Sequence, residues 1–110
     1  MRVRSVIVII GAITGAAHVA AQHQPFDREV PMEDVLAAIS QISPLAREAA
    51  DHYRDGFLAR CGRPITSMEL RRAFAAGRGE PVLMTMVTAL ARQDTLALNT
   101  LKGTVPCKWN

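Results

Sequence analysis

No stretch of this sequence alternates apolar and polar residues over the length of a strand, and no Asn-Gly or Asp-Gly hairpin joins two such runs. That argues against a sheet as the main architecture and leaves an all-α class. None of the G-x-S-x-G, H-E-x-x-H, P-loop or dinucleotide fingerprints is present, so no catalytic constellation stands out. Cysteine is limited to Cys61 and Cys107, with no Cys-x-x-Cys pair. Two distant thiols are too few for a zinc site and wrongly spaced for a redox-active dithiol. No catalytic residue, metal site or cofactor is therefore expected.

A long membrane-spanning run is also missing. The strongly apolar part of the N-terminus, Ser5 to Thr14, is about half of the roughly 20 residues that a spanning helix needs. Arg2 and Arg4 precede it, small residues follow from Gly15 to Ala21, and Val19-Ala20-Ala21 fits the small-x-small cleavage rule. Residues 1–21 thus read as a cleaved secretory signal peptide with Gln22 as the first mature residue. No stable membrane span is expected after cleavage. No cysteine stands at the cleavage point, which argues against a lipid anchor.

Excess charge disappears with that segment. The whole chain carries +3, but its mature part of 89 residues has 11 basic and 10 acidic side chains. A global nucleic-acid-binding charge is absent. What charge there is lies unevenly: Gln22 to Tyr53 is −4 and Arg54 to Arg78 is +4. The two stretches either neutralise each other or leave a basic face. Such a face would comprise Arg60, Arg63, Arg71, Arg72 and Arg78 and would meet an acidic partner or an anionic surface.

In an exported chain an even cysteine pair is read as a disulfide, here Cys61–Cys107. A crosslink of this kind suits a domain too small to bury a large core.

Residues 22–31, with two prolines and no periodicity, read as a flexible lead-in. The domain proper is 32–110. Met32, Val35, Leu36, Ile39 and Ile42 keep the i, i+3, i+4, i+7 spacing of one helical stripe over 32–42. Ser43 and Pro44 suit the start of a second helix over about 44–60. It carries Ala46, Ala49, Ala50, Tyr53, Phe57 and Cys61 on one face, with Gly56 allowing close approach. Thr66 and Glu69 form a T-x-x-E capping box for a third helix, ending at Gly77. Pro81 begins a fourth. From there to Leu101 the pattern fits either one helix bent near Gln93-Asp94 or two with Asp94 capping the second; two are favoured. The expected fold is a small bundle of four to five short helices closed by one disulfide.

Histidine is as scarce as cysteine: only His23 and His52 belong to the mature chain. Glu48 and Asp55 lie four before and three after His52, a spacing that puts all three on one helical face. The chief expectation is a surface or boundary histidine in an ordinary pair; the alternative is a weak metal-binding or proton-transferring site. Met86 falls on the apolar stripe, whereas Met84 falls beside it as a candidate exposed contact. Trp109 either covers the disulfide or anchors a partner.

The run Cys61-x-x-Pro64-Ile65-Thr66, then Leu70 and the terminal Pro106-Cys107, resembles small periplasmic immunity proteins that neutralise secreted cell-wall amidases. The likeness covers the second half of the chain. The spacing from Pro81 to Pro106-Cys107 departs from that pattern, and a second cysteine pair is missing. The resemblance implies an inhibitor. Taken with the composition, rich in Ala and Arg and poor in Lys, the expectation is a non-catalytic interaction protein. It would act in the periplasm of a Gram-negative bacterium, or be secreted, and bind another exported protein as inhibitor, chaperone or accessory subunit. A third class is a module whose arginines bind anionic lipid or polyanion.

Overall fold

The computed structural model describes residues 29–108. Expectations for the signal peptide, most of the lead-in, and Trp109 lie outside the described residues. Within them the chain forms five α-helices and no strand: α1 (Met32–Ile42), α2 (Pro44–Cys61), α3 (Ser67–Ala75), α4 (Pro81–Ala91) and α5 (Thr95–Lys102). None is long and apolar enough to cross a membrane.

The helix starts follow from local chemistry. Ser43 accepts a hydrogen bond from the Ala46 amide, and Pro44 fills the first position of α2, where its missing N–H costs nothing. Thr66 and Glu69 complete the expected capping box reciprocally, at 3.1 and 2.9 Å. Asp94 receives the Ala97 amide at 3.0 Å. The α4–α5 region is therefore two helices. Glu80, a less usual cap, turns its carboxylate back onto the amides of Val82 and Leu83 at the head of α4.

The break between α4 and α5 is a Schellman turn. The Asp94 amide donates to Ala89 and the Gln93 amide to Leu90, which places Gln93 in the left-handed region at φ 57°. An L side chain there costs roughly 1–2 kcal/mol. Gln93→Gly should therefore stabilise the fold by about 0.5–1 kcal/mol after the added freedom of the unfolded glycine is offset. Urea unfolding of the two proteins checks this, and an unchanged or lower midpoint would contradict it.

α2 lies at the centre of the bundle. Its Ala49, Ala50, Tyr53 and Phe57 are completely buried, and it packs chiefly on α4 and α1. Leu70, Leu83, Met86 and Val105 complete the fully buried core. Met84 is not the exposed contact expected from its register. It is half-buried against the core, with its thioether lying where a Cβ on Gly79 would stand.

The C-terminal residues are fastened to α2 in three ways. Cys61 and Cys107 form the disulfide. Arg60 donates from Nε to the Val105 carbonyl at 2.8 Å and from Nη1 to the Gly103 carbonyl at 2.9 Å. The Val105 side chain is fully buried and meets α2 at Gly56.

Candidate partner-binding groove

The arginines singled out in the sequence have different surroundings. Arg60 is the tail clamp just described. Arg63 forms a two-pronged ion pair with Glu69, at 2.9 and 2.8 Å, and its guanidinium lies 4.9 Å from the centroid of the Phe57 ring. Arg71 and Arg72 sit on α3 with no carboxylate partner among the described residues; Arg72 reaches only the Met68 sulfur, at 3.6 Å. Arg78 lies exposed in the turn that follows α3.

The head of α3 is tied down unusually well for a nine-residue helix. Glu29, at the end of the expected lead-in, accepts from the Ser67 amide at 2.8 Å and from the Ser67 hydroxyl. These bonds, led by the hydroxyl, hold the Glu29 carboxyl below the usual glutamate range. Arg63 is the main cause of a deeper depression at Glu69, from its ordinary 4.5 to about 2; the Thr66 backbone and side chain add to it. Because the folded value lies below the unfolded one, this stabilisation is fully present above pH 4.5. It is lost as pH falls from there through about 2. Melting temperatures measured from pH 7 to pH 2 should show a decline over that window, shallower in Glu69→Gln, which starts lower. Parallel curves for the two proteins would remove Glu69 as a source of acid sensitivity.

His52 is half-buried, and its Nδ1 is covered without a hydrogen-bond partner. The expected pairing with Glu48 and Asp55 does not appear among the ion pairs; instead Asp51 takes Arg47 at 3.3 Å and Arg54 at 3.5 Å. No group of three or more His, Cys, Asp or Glu that could hold a metal lies together among the described residues.

An open groove of about 780 Å³ lies between α1 and α3. Val35, Ala38, Ile39 and Ile42 form the α1 wall, and Met68, Phe74 and Ala75 the α3 wall, with Val30, just before α1, added to them. Asp34, Arg71 and Arg72 are its charged residues. The groove exists because α1 and α3 barely touch and because each contributes an alanine where a larger side chain would close the gap. Ile42, at 82 % exposure, stands on its lip. A second hollow of about 570 Å³ begins on the other side of α3, sharing Arg72 and Ala75.

No known family, curated protein or solved structure matches this chain. Most of the residues that carry the resemblance to immunity proteins have structural work: Cys61 and Cys107 are crosslinked, Ile65 and Leu70 are core, and Thr66 is a helix cap. None of them lines the groove. Sequence reasoning singled out Arg71 and Arg72 from charge alone. It missed the groove, which is a property of two helices, separated in the chain by α2, that fail to close on each other.

Proposed function

We propose that this chain is an exported, non-catalytic helical protein that acts in the periplasm by holding another exported protein. The observation that carries this reading is the α1–α3 groove: apolar side chains beside two arginines with no carboxylate partner among the described residues. Arg60, Arg63, Glu29 and Glu80 are by contrast committed to the tail clamp, a local ion pair and helix heads. A disulfide supports an oxidising compartment, and the Arg2–Ala21 pattern supports export to it. Inhibition of a secreted effector enzyme is the version of this function that the sequence resemblance favours.

The test has two parts. The whole chain, produced in a Gram-negative cell, should be recovered from the periplasm with Gln22 at its N-terminus. Affinity capture from its native periplasm under oxidising conditions should then enrich one partner in near-equal amount. Retention in the cytoplasm would defeat the first statement, and capture of nothing the second.

A further inference from the structure

We infer that the occupant of the α1–α3 groove is an amphipathic helix of the partner whose carboxylates meet Arg71 and Arg72. This rests on the interaction reading above and adds the chemistry of the bound segment.

Backbone hydrogen bonding favours a helix as the guest. The groove walls are side chains on two helices, whose backbone groups along the groove are already bonded within each helix. An extended peptide laid on such an apolar surface would bury N–H and C=O groups with nothing to receive them. A helix satisfies its own backbone and needs only an apolar stripe, the i, i+3, i+4, i+7 pattern of helix-in-groove recognition. No strand exists among the described residues onto which an extended segment might add. The walls suit that occupant: α1 is 11 residues long, about 16 Å, which matches three turns of a guest helix.

Charge favours acidic flanks on that helix. Arg71 and Arg72 are adjacent on α3 and unpaired with any carboxylate among the described residues, while the opposite wall offers only Asp34. Arginine forks bind carboxylates in two-pronged geometry, as Arg63 does with Glu69 in this same fold. A guest with Glu or Asp along the edge facing α3 completes both residues. A guest with Lys there is repelled.

The experiment uses the full chain in its native cell, with a photo-crosslinking amino acid at Ile42 on the groove lip. A second protein carries it at Leu96 on α5, which is 78 % exposed and outside the groove. The expected result is an adduct from position 42. The attached peptide, identified by mass spectrometry, should have apolar residues at helical spacing and acidic residues beside them. Arg71→Glu with Arg72→Glu should cut adduct yield at least tenfold, as should Ala38→Trp, which fills the groove from an exposed position. Unchanged melting temperatures establish that these variants fold. An adduct from position 96 alone overturns the groove and leaves the interaction reading standing. No adduct from either position overturns both. Adducts with lipid, with a second copy of this chain, or with a segment lacking acidic residues overturn the assigned occupant, as does indifference to charge reversal.

Discussion

Cys61→Ser is expected to lower the stability of the protein by about 4 kcal/mol. The crosslink joins residues 46 positions apart, and the chain-entropy relation assigns roughly that much to a loop of this length. A domain this size holds about 5–15 kcal/mol in all, so a large share of its stability would go. In thermal terms the loss is roughly 15–30 °C. The effect acts mainly through the unfolded chain. The tail keeps its other attachments, the Arg60 bonds to Val105 and Gly103 and the buried Val105 side chain. Helical content at low temperature should therefore change little while the melting temperature drops. Cys107→Ser should match Cys61→Ser, and the double variant should be no worse than either, because both remove one interaction. Reductant should bring the wild type down to the same midpoint. Cys107 should become alkylatable in Cys61→Ser and stay blocked in the wild type. A loss below about 1 kcal/mol would mean that residual structure in the unfolded chain already brings the two positions together, so that the crosslink removes little entropy.

The contrast between the disulfide and the clamp bears on what a sequence discloses. Ser43, Thr66–Glu69 and Asp94 were legible because each cap acts within three residues of its target. The apolar stripes of α1 and α2 were legible because their period is that of the helix itself. Glu80 was missed, since glutamate is not a favoured cap and Pro81 alone marked the helix start. Met84 was misplaced because register describes one helix, while the neighbouring Gly79 turn supplied the space that took it in. Arg60 was read as a binding residue because nothing local distinguishes an arginine facing solvent from one that reaches carbonyls 43 and 45 residues away. Glu29 at the head of α3 is the same kind of long-range contact, 38 residues from Ser67. The basic run between Arg54 and Arg78 therefore separates on folding. Arg60 and Arg63 join the framework, and Arg71 and Arg72 stay without a carboxylate partner among the described residues. The groove was invisible for a related reason: it depends on how far apart two helices settle.

Gly56→Ala is expected to cost about 2 kcal/mol, opposite in sign to what helix propensity alone gives. Glycine inside a helix is disfavoured relative to alanine by roughly 0.5–1 kcal/mol, so an unconstrained replacement would stabilise α2. At this position a Cβ would stand 2.7 Å from the Lys102 carbonyl oxygen and 2.8 Å from Cγ2 of Val105. Both distances lie far inside van der Waals contact, and forcing an extra methyl into a packed site costs typically 1–3 kcal/mol. Neither neighbour is free to give way. The Lys102 carbonyl is backbone at the end of α5, and Val105 is fixed between the Arg60 bonds and the disulfide. The same reasoning supplies the control. Releasing the crosslink lets the tail shift, so Gly56→Ala should cost less in the Cys61→Ser background, by at least 0.5 kcal/mol in a double-mutant cycle. Denaturant unfolding of the four proteins measures both numbers. A stabilised Gly56→Ala would show that propensity prevails and that α2 and the tail stand further apart. A cost with no coupling would place the strain on the α5 backbone, whose position does not depend on the crosslink.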